Sequence, residues 1–196
     1  MSKVLQLIFA THNQHKVEEI KAILPPHVDV LSLKDLNFLA EIPETGSTLE
    51  ENAAIKAKTI YNHFHRPVIA EDTGLEVDAL QGAPGVYSAR YAGPQADSEK
   101  NIKKLLHELD TLELNRNARF KTVFVCIIDG ILNTFTGEVE GVIAKEPRGI
   151  EGFGYDPIFI PIGFDNTFAE LGAKIKSRIS HRSKAWRKVT RFLQNI

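Results

Sequence analysis

The chain has 196 residues, 43% of them apolar, which is enough for one domain with a full core and excludes disorder as its main state. A net charge of -1, from 24 basic and 25 acidic residues, excludes a general attraction to nucleic acid or anionic lipid. The single cysteine, Cys126, excludes an internal disulfide framework, and no apolar run approaches the ~20 residues that span a bilayer. We expect a cytoplasmic protein with no nucleic-acid or membrane partner, folded as one domain over residues 1–196.

The first elements are a strand and a helix. Residues 4–10 form a nearly continuous apolar run, typical of a strand buried on both faces. Apolar residues then recur at helical spacing, with Thr11 or Asn13 as the cap and the prolines at 25–26 as the stop. The pattern predicts a strand that leads directly into a helix.

A second helix is predicted over about residues 47–64, followed by a short strand. Two capping boxes fit the start of the helix: Ser47 with Glu50, or Thr48 with Glu51. Residues 67–70 predict a buried strand that ends at Glu71 and Asp72, with a turn at 73–74.

The second half of the chain changes to the period of strands. A third helix is predicted after Ser98, and residues 120–128 and 131–135 then flank Asp129-Gly130, a strong hairpin signal. A further strand is predicted over 157–160. The last element is predicted to be a helix with these inward positions: Ile179, Trp186, Val189 and Leu193. Strands that alternate with helices before a hairpin favour an α/β fold with a mixed sheet.

The loop between the first strand and the first helix is a candidate anion site. Free backbone N–H groups and the helix dipole favour an anion there, and Lys16 lies one turn into the helix. Neither the phosphate-loop pattern nor the dinucleotide-binding glycine pattern is present. The alternative interpretation is an ordinary capped helix with a solvated lysine.

Residues 71–78 carry four carboxylates and no base. Clustered carboxylates must be solvated, paired or bound to a cation, and oxygen ligands suit Mg²⁺ better than zinc. Glu71 and Asp72 are neighbours, so they can share one ion only if the strand ends there. Glu44, before the second helix, is a candidate third ligand. An acidic surface turn is the alternative.

The C-terminal part, from Leu171, has eight bases and no acid. His181 and Arg182 lie where the last helix is predicted to begin, where N–H groups, an imidazole and a guanidinium can converge on an anion or a base edge. A solvated basic face or a nucleic-acid patch is the alternative.

The glycine-rich segment 149–157 lies upstream of this part and contains an aromatic ring and a carboxylate that could grip a heterocycle. The alternative interpretation of this segment is a tight loop with a packed tyrosine. Cys126 lies in an apolar strand and is expected in the core.

Taken together, these segments resemble the inosine triphosphate pyrophosphatase family, which hydrolyses non-standard purine nucleoside triphosphates and cleanses the nucleotide pool. The match covers essentially the whole chain, in order: residues 11–16, Glu44-Thr45-Gly46, Glu51-Asn52-Ala53 with Lys56, residues 71–75, Gly82-Ala83-Pro84-Gly85 with residues 88–91, Phe153-Gly154-Tyr155-Asp156-Pro157, and Ser180-His181-Arg182. The resemblance implies an elongated mixed sheet flanked by helices, two lobes around a central cleft, and a homodimer.

The resemblance also implies residue roles. The catalytic base is Asp72, and magnesium is held by Glu44 with Glu71 or Asp72. The substrate-binding set is as follows: Thr11, His12, Asn13, Gln14, His15, Lys16, Lys56 and Thr73, with Phe153, Gly154, Tyr155, Asp156, Lys176, His181 and Arg182 around the base. His12 and His15 stand where glycine is frequent, and Glu71-Asp72-Thr73 replaces the common Asp-Asp-Ser.

Two other functions fit parts of the sequence. A pyrimidine nucleotide pyrophosphatase of the Maf type has a similar architecture but gives no reason for Ser180-His181-Arg182. A non-catalytic nucleotide- or RNA-binding module explains the basic C-terminus but leaves Glu44, Glu71 and Asp72 without a role. The favoured mechanism is attack of water on the α-phosphorus, which releases a nucleoside monophosphate and pyrophosphate.

Overall fold

The computed structural model describes residues 4–111 and 115–194. Its main elements are β1 (Leu5–Phe9), α1 (Gln14–Lys21), β2 (Val28–Ser32), α2 (Leu49–Phe64), β3 (Val68–Val77), α3 (Ser98–Thr111), β4 (Asn117–Ile128), β5 (Ile131–Ile143), β6 (Phe159–Pro161), α4 (Phe168–Ile179) and α5 (His181–Leu193). Short 3-10 turns cover Asp78–Leu80, Gly85–Arg90 and Asp156–Ile158. In the described ranges, no helix is long and apolar enough to cross a membrane.

The strands form one mixed sheet in the order β2-β1-β3-β4-β5-β6. Strand β1 is parallel to both β2 and β3, whereas β5 is antiparallel to β6. The strands in the first part of the chain are parallel because helices connect them, whereas a short hairpin turn joins strands that are antiparallel. The predicted α/β class with a mixed sheet is confirmed.

The chain divides into two compact units. The first comprises Met1–Asp72, Thr122–Gly137 and Ser183–Ile196. In its core, β1 and β2 pack with α1 and with Trp186 and Val189 of α5. Cys126 is fully buried in this core, as expected of a small apolar residue in a strand.

The second unit comprises Thr73–Lys121 and Glu138–Arg182. Its core joins the apolar face of α3 to an aromatic group. The rings of Phe120 and Phe159 lie 4.7 Å apart between centroids, and those of Phe159 and Phe168 lie 5.3 Å apart. This group of rings lies against α4, which begins at Phe168, and against His181, one of the predicted site residues.

The predicted end of a strand at Asp72 is wrong. Strand β3 runs without interruption from Val68 to Val77, so no turn occurs at residues 73–74. Glu71 and Asp72 are buried inside the strand, and lysines from two helices pair with them. Because this pairing offsets the cost of burying the carboxylates, the backbone can continue its sheet hydrogen bonds past them.

Local signals decide several other boundaries. Asn13, not Thr11, caps α1, since its side chain accepts a hydrogen bond from the Lys16 N–H. For α2 the cap is Thr48, which accepts from the Glu51 N–H. The Asp129-Gly130 hairpin is confirmed, and both turn residues have positive φ, as the primed turn requires.

Other elements differ from the predictions. Helix α1 ends at Lys21, before the prolines. Strand β6 begins at Phe159 and not at residue 157, because Asp156–Ile158 forms a 3-10 turn. Strand β2 and helix α4 were not predicted, and Ile179 ends α4 where the last helix was expected to include it. The Thr167-x-x-Glu170 capping box was a usable signal for α4.

Candidate active site

In the first unit, lysines and carboxylates form a cluster, here called the carboxylate–lysine cluster (Lys16, Glu44, Lys56, Glu71 and Asp72). Lys56 Nζ donates to Glu44 Oε1 and to Asp72 Oδ1, each at 2.8 Å. Lys16 Nζ lies 3.0 Å from Glu71 Oε1. The structure therefore brings these five sequence-predicted residues together, and it does so as ion pairs between lysines and carboxylates.

Secondary structure positions each member of this cluster. Lys16 lies in the first turn of α1, directly after the loop that follows β1, and Lys56 lies one turn after Asn52 on the same face of α2. Glu71 and Asp72 lie within β3, whose neighbour β1 leads into α1. A strand, two helix faces and the segment that carries Glu44 thus meet at these charges.

Burial and charge oppose each other at Asp72 and Lys56. Burial raises the pKa of Asp72, against the attraction of Lys56 and Lys16, which lowers it. Burial alone would lower the pKa of Lys56, but the attraction of Asp72 and Glu44 prevails and raises it. The buried lysine therefore stays charged, and Asp72 is a more basic carboxylate than an exposed aspartate.

Asn52 is a residue of this site that sequence reasoning did not assign. Its side chain is fully buried and donates to Asp72 Oδ2 at 3.4 Å. The available signal was its spacing: Asn52 and Lys56 are four residues apart on one helix, so both face the same strand.

The predicted phosphate loop, residues 11–15, lies between β1 and α1. Asn13 caps the helix, while Gln14 and His15 occupy its exposed first positions. The Asn13 N–H donates to Thr11 Oγ1. His12 Nε2 lies 3.1 Å from Ala40 O, and its ring stacks on Phe38. The loop therefore places a helix N-terminus next to Lys16, the arrangement that favours an anion.

The second unit holds a cation–aromatic cluster (Phe153, Asp156, Lys176, His181 and Arg182). Lys176 Nζ lies 2.7 Å from Asp156 Oδ2 and 4.6 Å from the centre of the Phe153 ring. The Arg182 guanidinium lies 5.6 Å from the same centre. Two positive charges therefore lie beside one aromatic face, and because both side chains are buried, their positions are fixed.

His181 and Arg182 are held by contacts within this unit. The His181 ring stacks on Phe120 at 4.7 Å between centroids. Arg182 Nη2 donates to Thr73 Oγ1 at 3.4 Å, which brings the predicted residue Thr73 into the same group. Both residues begin α5, as the sequence predicted for this tripeptide.

The loop before β6 has a steric requirement for glycine. The Phe153 N–H donates to Asp156 Oδ2, and a Cβ at Gly152 would overlap that carboxylate. Gly154 has a φ of +63°, in the region that favours glycine. Tyr155 is buried in the core, where its hydroxyl donates to Ser88 O, and burial raises its pKa. For Tyr155 the structure favours the packed-tyrosine interpretation.

The donor set of the first unit fits Mg²⁺ by its chemistry. Within the described residues, no three His, Cys, Asp or Glu side chains form a group that could hold a metal. Mg²⁺ is commonly held, however, by one or two carboxylates together with substrate phosphates and water. Glu44 and Asp72 already converge on one cationic atom, Lys56 Nζ, whereas Glu71 pairs with Lys16.

Comparisons with known proteins agree over nearly the full chain. A family model described as the Ham1 family matches residues 7–192. A dITP/XTP pyrophosphatase of Christiangramia forsetii is 51% identical over 189 residues, which cover 96% of this chain and 99% of the relative. A dITP/XTP pyrophosphatase of Bacillus subtilis is 50% identical over 192 residues, with coverages of 96% and 97%.

Solved structures are similar as well. The Staphylococcus aureus Ham1 protein is 41% identical, with a TM-score of 0.88 and coverages of 97% of this chain and 98% of the other. A HAM1 protein from Coxiella burnetii is 35% identical, with a TM-score of 0.89 and coverages of 98% and 100%. The similarity therefore includes both units.

Proposed function

The chain belongs to the Ham1 family, and we propose that it is a pyrophosphatase that hydrolyses non-standard purine nucleoside triphosphates such as dITP, ITP and XTP. The products are the nucleoside monophosphate and pyrophosphate. The structural observation that carries this proposal is the cation–aromatic cluster, because it offers hydrogen-bond donors beside an aromatic face.

The donor character of that cluster follows from its hydrogen bonds. Lys176 and Arg182 have only donors, and Asp156 Oδ2 already accepts from Lys176 and from the Phe153 N–H. Hypoxanthine and xanthine present carbonyl oxygens, which such donors satisfy. Adenine presents a 6-amino group in place of the C6 carbonyl, which sets a donor against donors. Guanine shares the C6 carbonyl with hypoxanthine, so its rejection rests on its 2-amino group. Stranded buried donors can reject a substrate by ~10⁴-fold or more.

The carboxylate–lysine cluster is assigned to the triphosphate and its metal. Lys16 and Lys56 act on phosphate as point charges, and the helix N-terminus beside Lys16 supplies N–H groups. Glu44 and Asp72 would hold Mg²⁺, with Glu71 as a further carboxylate paired to Lys16. When bound, Mg²⁺ supplies positive charge to the phosphate oxygens as negative charge develops on them.

Asp72 is the residue that prepares water for attack. Its Oδ1 accepts from Lys56 and its Oδ2 from Asn52, and a carboxylate has about four lone-pair positions, so it can still accept a proton from water. Burial raises the pKa of Asp72, which makes it a stronger base than an exposed aspartate. The water oxygen bonds to the α-phosphorus, and the bond from that phosphorus to the α–β bridging oxygen breaks. The lysines stabilise the pyrophosphate that leaves.

Base recognition can be tested with two lysines of α4. Lys176 is buried against Asp156, whereas Lys174 is exposed two residues earlier. We expect Lys176→Met to lower kcat/KM for dITP and XTP by at least ~10-fold and to narrow their advantage over dATP and dGTP. Lys174→Met is the matched control and should match the wild type. An unchanged preference in Lys176→Met would remove this cluster from base recognition.

Assembly and location complete the proposal. We propose a homodimer, supported by large apolar side chains that are exposed in the second unit, among them Ile150 and Ile162. The cytoplasm is the proposed compartment, because the lone cysteine forms no disulfide. The mass in solution, measured by light scattering, tests the dimer: a concentration-independent monomer would overturn it.

A further inference from the structure

Asn52 joins two parts of the carboxylate–lysine cluster. Its Oδ1 accepts from the Gly46 backbone N–H at 2.8 Å, and its Nδ2 donates to Asp72 Oδ2 at 3.4 Å. The orientation of the amide follows from chemistry, since a backbone N–H can only donate and so must face Oδ1. The side chain is 0% exposed, and its hydrogen bond to Asp72 is buried.

The same helix face therefore holds both oxygens of Asp72. Asn52 contacts Oδ2, and Lys56, four residues later, contacts Oδ1. Lys56 alone leaves the carboxylate free to rotate about its bond to Cβ, because a lysine ammonium accepts many approach directions. A second donor on the other oxygen removes that freedom.

Asn52 also reaches the segment that carries Glu44. Gly46 lies two residues after Glu44, and a Cβ at Gly46 would stand 2.6 Å from Glu51 Cβ and 2.8 Å from Asn52 Oδ1. The backbone at Gly46 therefore packs directly on the amide. One buried side chain thus fixes the position of Asp72 relative to the segment that carries Glu44 and Gly46.

We propose that Asn52 is a positioning residue, which orients Asp72 for the attacking water and sets its place relative to Glu44. This role rests on the function proposed above, in which Asp72 and Glu44 handle water and metal. Neighbours that orient the ligands of a metal site typically change metal affinity or activity 10–100-fold when they are replaced.

The test replaces the amide in two ways. Asn52→Leu keeps the branching at Cγ and the number of side-chain heavy atoms but removes both hydrogen bonds, and Gly46→Ala keeps Asn52 but pushes its Oδ1. The matched control is Asn101→Leu. Asn101 is another buried asparagine that accepts from a backbone N–H, that of Ala92, but its amide donates to the backbone carbonyls of Ser88 and Ala89 where that of Asn52 donates to a carboxylate.

All variants are assayed for pyrophosphate release from dITP, well below their unfolding temperatures. We expect kcat to fall ~10–100-fold in Asn52→Leu and at least ~5-fold in Gly46→Ala, with KM within about 3-fold of wild type. Asn101→Leu should lower the unfolding temperature but keep kcat. A wild-type kcat in Asn52→Leu, or equal losses in Asn52→Leu and Asn101→Leu, would overturn the proposal.

A second measurement separates this proposal from the proposed function. Mn²⁺ binding to the nucleotide-free protein, followed by electron paramagnetic resonance, does not need turnover. We expect the Kd for Mn²⁺ to rise at least ~5-fold in Asn52→Leu and to stay unchanged in Asn101→Leu. If wild type releases no pyrophosphate, the proposed function fails, and the Mn²⁺ result alone decides the role of Asn52: an unchanged Kd in Asn52→Leu rejects it.

Discussion

Replacing Lys56 by methionine is expected to destabilise the first unit strongly. The side chains of Lys56 and Asp72 are only 10% and 9% exposed, and one ammonium serves two carboxylates at 2.8 Å. Removing one partner of a buried ion pair leaves an uncompensated charge, which costs about 3–5 kcal/mol. We therefore expect the free energy of unfolding of Lys56→Met to fall by about 3 kcal/mol near neutral pH.

The pH dependence has a definite sign. Attraction to Asp72 and Glu44 raises the pKa of Lys56, so its contribution to stability is complete below its ordinary value of 10.5 and is lost as the pH rises through the higher folded value. In Lys56→Met, the burial of Asp72 favours its protonated form. The deficit relative to wild type should therefore shrink as the pH falls into the range where carboxylates become protonated.

Urea unfolding followed by the fluorescence of Trp186 measures this effect, because the single tryptophan is buried in the core of the first unit. Lys58→Met is the matched control: it lies on the same helix but is exposed, so its change should stay within about 0.5 kcal/mol. The double variant Lys56→Met/Asp72→Asn should recover part of the loss, since the unpaired charge is gone. Equal stabilities of Lys56→Met and Lys58→Met would refute the reasoning.

Three further predictions concern single residues. Asp72→Asn should lower kcat for dITP at least ~100-fold with its circular dichroism unchanged, because it removes the carboxylate that accepts the proton; near-native kcat would remove Asp72 from the mechanism. Lys16→Ala should raise KM for dITP yet leave the binding of inosine, measured by calorimetry, within about 2-fold; equal losses would show that Lys16 does not act on phosphate. Burial raises the pKa of the Cys126 thiol to about 12, so the folded protein should not react with a disulfide reagent at about pH 8, whereas the unfolded protein should react fully; labelling of the folded protein would contradict its burial.

Features of the fold that depend only on residues close together in the sequence were predictable from it. The Asp129-Gly130 turn needs positive φ at both residues, and that requirement is visible in the two residue types. The Thr48 cap and the helix start at His181 are local in the same sense. Ordered motifs also indicated the two groups of candidate site residues before any geometry was known.

Features that depend on distant residues were not predictable. Strand β3 continues past Asp72 because Lys16 and Lys56 pair with the buried carboxylates of Glu71 and Asp72. Both lysines lie far from these carboxylates in the sequence. Helix α4 contains Gly172 with a φ of +74°, which interrupts its helical period and hides it from a periodicity search. The donors on the two oxygens of Asp72 likewise appear only when α2 packs against β3.

The position of bond cleavage tests the central claim most directly. The wild-type protein is incubated with dITP and Mg²⁺ in water enriched in ¹⁸O, and the products are identified by mass spectrometry, with dATP as the comparison. Attack on the α-phosphorus predicts pyrophosphate as the leaving product and one ¹⁸O atom in the nucleoside monophosphate, with little turnover of dATP. Release of orthophosphate, ¹⁸O in the pyrophosphate, or equal turnover of dATP would contradict the proposed function.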